Sequence, residues 1–374
     1  MPVGDSRLAL RVTPVYLDAG KLDADTSLRH GTGVAGIYDE ILKNNPSASA
    51  AEVESEKSRL LAKGVGRQKD NGVGLAVAWE SEPHGIKADI GVSPLGFLYS
   101  TAVGGISLER SFSGHPNMHY GLGISRRAVT DSLTSFAGSR DERSGKEWGG
   151  VTANGARAQL SFDNGKVGAY GYGSAQALLG NNVKSNTRVE LGSGVYWYLL
   201  NDERSILTAG LGLTGIGYEN NQGNFSYGSG GYFSPQRFYS LSIPISWAHR
   251  AGRWTYKVRG SVGVQHFKQD SVPYFINDND MQDRLESYAS IAADNGGYLS
   301  TEFDGASETG IGYNLSSAAE FRIGDHFFLG GHLGVDNAQD YRQLNGGLYL
   351  RYMLEDMTGP MNLPVSPYQS PYSN

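Results

Sequence analysis

The segment Arg188-Val189-Glu190-Leu191-Gly192-Ser193-Gly194-Val195-Tyr196-Trp197-Tyr198-Leu199-Leu200 alternates apolar side chains with polar or small ones. Most odd positions are apolar, whereas Arg188 and Glu190 stand at even positions. A period of two places successive side chains on opposite faces of an extended chain. The segment therefore predicts a β-strand with one apolar face.

The same alternation recurs along most of the chain, in segments of about ten residues that each have one apolar face, as a transmembrane β-barrel requires. The further apolar faces are Leu8–Val12, Val73–Trp79, Ile86–Val92, Met118–Ile124, Ala158–Phe162, Tyr239–Trp247, Trp254–Val264, Thr309–Phe321, Phe327–Val335 and Leu344–Tyr352. Many of these faces end in an aromatic residue such as Trp197, Trp247 or Trp254. Aromatic residues at strand ends are typical of the interfacial girdles of membrane barrels.

The connections between these segments alternate in length. Short links lie at Ser81–His84, Ser113–Asn117, Asp163–Gly165, Asn201–Arg204, Arg250–Arg253 and Gly324–His326, and long ones at Asp18–Asn71, Ala128–Gly149, Asn220–Arg237 and Gln269–Ser307. Outer-membrane barrels alternate short periplasmic turns with long extracellular loops. A soluble β-solenoid or sandwich explains the alternation of side chains but not these one-sided loop lengths. The pattern predicts an all-β fold, a transmembrane antiparallel up-and-down β-barrel over residues 1–354, with fourteen strands read directly.

Short helices are predicted inside two long links, at Ser47–Lys63 with Ser47 as N-cap and at Asp280–Asp294. His30–Tyr38 is a candidate strand with no clear partner.

Composition excludes several classes of function. The chain of 374 residues has no Cys, which excludes thiol catalysis and Cys metal sites, and its net charge of −6 comes without a Lys/Arg block, so we expect no nucleic-acid partner. The best apolar run, Ser205–Tyr218, is too short for a membrane-spanning helix. Met1–Asp5 is not an export signal, so we expect a missing upstream segment.

If the apolar faces meet lipid, the opposite faces line a lumen about 25 to 30 Å across between backbones. Its predicted polysaccharide-contacting side chains on the strands are Arg157, Gln159, Glu190, Tyr196, Tyr198, Lys257, Arg259, Glu320, Arg322, His332, Asp336 and Arg351. Both signs of charge are present beside tyrosine and amides, which suits neutral sugars better than ions. Transport requires many weak contacts rather than one deep site.

The segment Gly230–Phe238, with the sequence GGYFSPQRF, resembles the C-terminal outer-membrane barrel domain of the bacterial cellulose synthase subunit that serves as a cellulose export porin. Lys87–Gly91, Pro94–Phe97, Val103–Ser107 and Trp148–Val151 carry the same resemblance, which extends over nearly the whole chain. It implies a barrel of 16 strands in the Gram-negative outer membrane, surrounded by outer-membrane lipids. It also implies a cellulose (β-1,4-glucan) substrate, a periplasmic tetratricopeptide-repeat region upstream and an inner-membrane cellulose synthase complex as partners.

Two further segments are candidate contacts for the polymer. Tyr232, Phe233 and Gln236 either contact the emerging glucan or belong to a loop folded against the barrel wall. The Pro-rich tail, residues 355–374, is predicted to lie at the periplasmic mouth or in the lumen, where Tyr368 and Tyr372 would guide the sugar. Its prolines prevent another strand.

Other classes of function fit the sequence less well. The eight His are scattered without metal-ligand spacing, and there is no G-x-S-x-G elbow, so we predict no enzyme, no catalytic residue, no metal and no cofactor. An exporter of another exopolysaccharide or a general diffusion porin is the stronger alternative. The link Gln269–Ser307 is long enough to fold over the exit as a lid.

Overall fold

The fold is seen in a computed structural model that describes residues 2–3, 6–22, 24–63, 66–294, 296–338, 341–353 and 356–365. One antiparallel sheet holds the long strands in chain order, each paired with the strand that precedes and follows it. The expectation of an all-β, up-and-down barrel is confirmed by this order. Five neighbouring pairs show a further feature, a bulge or irregularity that shifts the register, for example between Tyr198 and Leu200.

The strands are β1 (Pro2–Val3), β2 (Ser6–Lys21), β3 (Arg67–Ser81), β4 (Ile86–Leu95), β5 (Ala102–Phe112), β6 (His115–Ala128), β7 (Ser139–Arg140), β8 (Glu147–Asp163), β9 (Val167–Asn181), β10 (Asn186–Asn201), β11 (Ser205–Tyr218), β12 (Arg237–Ala251), β13 (Trp254–Gln269), β14 (Val272–Pro273), β15 (Glu302–Phe303), β16 (Ala306–Arg322), β17 (Phe327–Ala338) and β18 (Tyr341–Tyr352). The helices are α1 (Ala24–Arg29), α2 (Gly33–Asn44), α3 (Ala50–Lys63), α4 (Leu133–Phe136) and α5 (Asn279–Asp294).

The sheet counts 16 strands when the two-residue strands β1 and β7 are included. Within the described ranges, fourteen strands are 10 to 17 residues long, which is the number read from the alternation. The resemblance implies 16, and this number is reached only with the two short strands. In the same ranges no pairing joins β2 to β18, so the seam of the barrel lies between them.

The helix predictions are confirmed for Asp280–Asp294, which falls within α5, and for the body of Ser47–Lys63, which contains α3. The N-cap is corrected from Ser47 to Ser49, because the Ser49 backbone N donates to Glu52 Oε2 at 2.8 Å, while Glu52 N donates to Ser49 Oγ at 3.4 Å. The candidate strand His30–Tyr38 is wrong: it runs into α2, whose apolar residues Ile37 and Ile41 are four apart and buried together. None of the described helices has both the length and the apolar character needed to cross a membrane.

The two faces of the sheet differ as predicted. Val189 and Leu241 are 53% and 52% exposed and stand on the apolar face. The polar face is the concave one, because its side chains bridge strands that are not neighbours, such as Arg127 on β6 with Asp89 on β4 (2.7 Å, Arg127 Nη1 to Asp89 Oδ2). The apolar face is therefore the outer surface of the barrel and the polar face its lumen. We call the side of the short links the turn end and the side of the long links the loop end.

Candidate functional site: the lumen and its two mouths

Two pairs of tyrosines lie on the inner face of β9 and β10, and we call them together the tyrosine surface: Tyr170 with Tyr172, and Tyr196 with Tyr198. The rings of Tyr170 and Tyr172 are nearly parallel, with centroids 6.5 Å apart and an angle of 10° between the planes. The centroids of Tyr196 and Tyr198 are 5.8 Å apart and their planes are inclined by 60°. Successive inward residues of each strand are therefore in ring-to-ring contact.

Inward glycines allow two of these rings to lie against the wall. A Cβ added to Gly168 would overlap the ring of Tyr196, and one added to Gly192 would overlap the ring of Tyr172. Across the pair β9–β10, Gly168 is the backbone partner of Tyr196, and Gly192 is the backbone partner of Tyr172. The missing side chains leave room for the rings of Tyr172 and Tyr196 against the wall, and the Arg157 guanidinium covers the Tyr172 ring.

The edges of the rings are fixed by carboxylates. The Tyr196 and Tyr198 hydroxyls each donate to Asp163 Oδ2 at 2.6 Å. The Tyr172 hydroxyl donates to Glu190 Oε1 at 2.8 Å, and the Arg157 guanidinium lies 3.7 Å from the centroid of the Tyr172 ring. Hydrogen-bonded hydroxyls hold the ring planes in place, so the rings that line this part of the lumen are fixed in orientation.

The predicted contact residues on the strands all stand on the inner face. Glu190 is ion-paired with Arg188, Arg157 covers Tyr172, and Gln159 packs on Gly121. The register places Lys257, Arg259, Glu320, Arg322, His332, Asp336 and Arg351 on that face too. The prediction omitted Tyr170 and Tyr172, which stand on β9, the strand paired with that of Tyr196. The Gly-x-Tyr-x-Tyr spacing from Gly168 places both tyrosines on one face and could have identified them.

The loop end is covered by a cap, which we define as the described residues of the four long loops 22–66, 129–146, 219–236 and 270–305. These loops leave the sheet at well-separated places, yet they are joined to one another. Gly31 N donates to Phe225 O at 2.9 Å, and Tyr227 N donates back to Gly31 O at 2.8 Å. The Tyr288 hydroxyl donates to Asp39 Oδ1 at 2.6 Å. Loops from distant strands can meet only across the mouth, so the cap spans it.

The cap has its own apolar core. Tyr232 is 2% exposed and packs with Trp148, the fully buried second residue of β8, and α5 contributes Met281 and Leu285 to a cluster with Phe275. This amount of buried aromatic and aliphatic surface is typical of a folded unit rather than of loose loops.

The three residues predicted in the GYFSPQ loop have different surroundings. Tyr232 packs in the cap core and its hydroxyl accepts from Asn186 Nδ2 at 3.1 Å, which corresponds to the folded-loop alternative. Phe233 is 47% exposed and packs edge-on against Phe238 and Phe267 of the inner wall. Gln236 Oε1 accepts from Asp270 N at 2.8 Å and so ties two cap loops together. Phe233 alone of the three is exposed.

A buried carboxylate joins two cap loops. Asp141 is fully buried and accepts hydrogen bonds from Thr32 N (3.1 Å), from Thr32 Oγ1 and from Ser144 Oγ (2.7 Å). Burial opposes the charged form, but these donors outweigh it and lower the pKa of Asp141. Burial also lowers the pKa of His30, whose ring packs against Trp148 with centroids 5.1 Å apart. The carboxylate is therefore charged and the imidazole neutral near pH 7.

The turn end is partly filled by tail residues 356–365. Arg322 Nη1 donates to Met357 O at 2.7 Å and Thr255 Oγ1 donates to Asn362 O at 2.7 Å. Met361 and Val365 are buried against the inner face. This part of the tail lies inside the turn-end mouth, whereas Tyr368 and Tyr372 lie outside the described residues.

Comparison with known proteins places these features in a family. Residues 1–355 match the family described as cellulose synthase operon protein C C-terminus. The chain is 51% identical over 374 residues to cellulose synthase operon protein C of Pseudomonas fluorescens, covering 100% of this chain and 26% of that protein. It is 39% identical over 362 residues to the protein of that name from Xanthomonas axonopodis pv. citri, covering 96% of this chain and 23% of the relative. The chain thus spans about a quarter of the length of these relatives.

One solved structure, a bacterial polysaccharide outer membrane secretin, aligns with a TM-score of 0.48 at 12% identity, over 77% of this chain and 85% of that one.

Proposed function

Because the chain belongs to the family of the cellulose synthase operon protein C C-terminus, we propose that it is the outer-membrane channel through which cellulose leaves the cell. The observation that carries this function is the tyrosine surface: neighbouring aromatic rings, held by hydrogen bonds to carboxylates, along the inner wall of a barrel whose lumen is otherwise polar. A β-1,4-glucan has the matching chemistry, since its sugar rings present C–H groups on their faces and hydroxyls at their edges.

Two kinds of contact would guide the polymer: aromatic rings that pack on sugar faces and polar groups that bond sugar hydroxyls. The negative face of an aromatic ring attracts the C–H face of a sugar. The hydroxyls can exchange hydrogen bonds with inner-face groups such as Gln159, Asn314 and Arg259. Each contact is weak and is repeated along the wall, so the chain slides from one to the next without a site deep enough to hold it.

We expect the double substitution Tyr170→Ala/Tyr196→Ala to lower glucan export about tenfold, since aromatic contacts of this kind contribute about 0.5 to 1.5 kcal/mol each. Export is measured as cellulase-released glucose outside cells that carry the full-length protein. Tyr170→Phe/Tyr196→Phe keeps both rings and should retain export. Tyr313→Ala removes an outward-facing ring and serves as the control for general damage. Equal export from the Ala and Phe pairs, with both barrels folded, contradicts the contact role.

We propose that the tail saturates hydrogen-bond donors at the turn-end mouth. Its carbonyls accept hydrogen bonds from Arg250, Thr255 and Arg322, which would otherwise offer unpaired donors to an incoming sugar. Deleting residues 356–374 should therefore lower export about fivefold, because freed donors each hold a hydroxyl by about 0.5 to 1.5 kcal/mol. Deleting only residues 366–374 keeps these contacts and should preserve most export in the same assay. An equal loss of glucan export from both deletions would refute the proposal that the tail acts by pairing these donors.

The larger assembly is proposed on the same family evidence. The relatives are about four times as long as this chain, and we propose that their remaining part is the periplasmic repeat region that delivers glucan from the inner-membrane synthase. The barrel itself needs no catalytic group for this task. We therefore propose a conduit rather than an enzyme.

An exporter of another exopolysaccharide remains the second candidate, because flat aromatic faces suit any sugar with an exposed C–H face. The mixed charge of the lumen, with Glu320 and Asp336 beside Lys257 and Arg259, disfavours a strongly anionic polymer. The cap disfavours a permanently open diffusion porin. Restoration of extracellular glucan in a strain lacking the gene distinguishes cellulose from other products.

A further inference from the structure

A groove lies on the outer, lipid-facing surface across β9–β13. Its volume is about 710 Å³, within the range of small-ligand sites. Two rows of outward residues border it, with the register Leu191–Gly215–Tyr239–His266 nearer the loop end and Gly171–Ser193–Leu213–Leu241–Val264 below. The small members of these rows form the floor and the large apolar members form the walls.

The floor is open because of its glycines. A Cβ at Gly171 would meet nothing closer than 3.9 Å, and one at Gly215 would lie 3.7 Å from the Tyr239 ring, which is ordinary contact. Neighbouring outward positions carry Leu, Ile, Val or Trp, so these glycines leave a depression as wide as a hydrocarbon chain in an otherwise bulky surface.

Two cations stand directly above the groove. Arg237 and Lys268 are backbone partners on β12 and β13, and both side chains point outward and are exposed. Arg237 precedes Tyr239 by two residues and Lys268 follows His266 by two, and each step is about 7 Å along its strand toward the loop end. Lys268 forms an ion pair with Asp270 at 3.1 Å in which both side chains are about half exposed, and so remains accessible. The row continues with Ser307 on β16.

We propose that this surface binds a phosphorylated, acylated glycolipid of the outer leaflet, of the lipid A type, with one acyl chain in the groove and a phosphate between Arg237 and Lys268. The assignment rests on the outer-membrane location in the proposed function. Arginine matches phosphate in a bidentate geometry and lysine adds a point charge. An apolar groove that runs up to a pair of cations at the loop end complements a lipid whose tails lie below anionic phosphates.

Native mass spectrometry of the purified, delipidated full-length protein in detergent tests the site. Lipid A is titrated against wild type, Arg237→Glu/Lys268→Glu and Gly171→Leu/Gly215→Leu. Each double variant should bind about tenfold more weakly, corresponding to about 1.4 kcal/mol. Lys69→Glu, which reverses a cation at the loop end of β3, and Gly260→Leu, which fills an outward glycine below the groove, should bind as wild type does.

Two further lipids test which part of the ligand is recognised. Dephosphorylated lipid A should bind wild type as weakly as lipid A binds the charge-reversed variant, and phosphatidylglycerol should bind more weakly than lipid A. Equal binding of lipid A by wild type and by both double variants overturns the site. Binding of phosphatidylglycerol by wild type as tight as that of lipid A overturns the glycolipid assignment. Glucan export is scored separately for the same variants. Loss of lipid binding with normal export leaves the channel function intact, so failure of one proposal does not mimic failure of the other.

Discussion

Replacement of Asp141 with Ala is expected to open the cap. In the closed arrangement this fully buried carboxylate receives both the backbone and the hydroxyl hydrogen bonds of Thr32, which lies on a loop far away in the sheet. Without it, the two donors of the buried Thr32 lose their acceptor, and the exposed Ser144 loses its bond to the carboxylate. Loss of such charge-assisted bonds should shift the balance toward the open arrangement by about 3 kcal/mol, or about a hundredfold in the ratio of open to closed channels.

Single-channel recordings in planar bilayers measure this shift as the fraction of time spent conducting. Asp141→Asn keeps the shape but weakens the bonds and should give an intermediate fraction. Glu142→Ala removes the neighbouring exposed carboxylate and should record as wild type. If Asp141→Ala folds and its conducting fraction stays unchanged, the Thr32–Asp141 contact is not what keeps the mouth closed.

The barrel could be predicted from sequence because its cause is local. The alternation from Val189 to Leu199 depends only on which face of a strand meets lipid, and each strand pairs with its neighbours along the chain. The cap could not be predicted in this way. Its contacts join residues as far apart as Leu28 and Tyr274, and the helical periodicity of α2 was hidden because its buried residues face other loops rather than one continuous core.

The lumen was predictable in part for the same reason. Inward positions such as Arg259 and Asp336 follow from parity, so their face was correct. The alternation does not show which rings lie against the wall. That depends on a glycine on the neighbouring strand, as with Tyr196 over Gly168. The alternation also does not show that Tyr232 is covered, since its neighbours Asn186 and Trp148 come from other parts of the chain.

A charge pair near the turn end, between a buried carboxylate and a partly exposed guanidinium, should contribute to the stability of the barrel. Glu320 on β16 is 4% exposed and is ion-paired with Arg351 on β18, and it accepts from the Tyr349 hydroxyl at 3.0 Å. These contacts cross β17 and join the last strand to the wall beside the tail. Glu320→Ala leaves the Arg351 guanidinium without this partner, 4.6 Å from the Phe328 ring; because the Arg351 side chain is 35% exposed and partly screened by water, the free energy of unfolding should fall by about 2 to 3 kcal/mol.

A double-mutant cycle separates the pair from its surroundings. Arg351→Met alone leaves the Glu320 carboxylate uncompensated and should be comparably harmful, whereas Glu320→Ala/Arg351→Met leaves neither charge orphaned and should lose less than the sum of the two single variants. The exposed inner-face pair of Lys87 with Glu80, at 3.1 Å, is the matched control, and Glu80→Ala should cost about 1 kcal/mol or less. Urea unfolding in detergent, followed by tryptophan fluorescence, gives the four free energies. Strict additivity of the two single variants would mean that Glu320 and Arg351 stabilise the barrel independently, and the expected coupling between β16 and β18 would then be wrong.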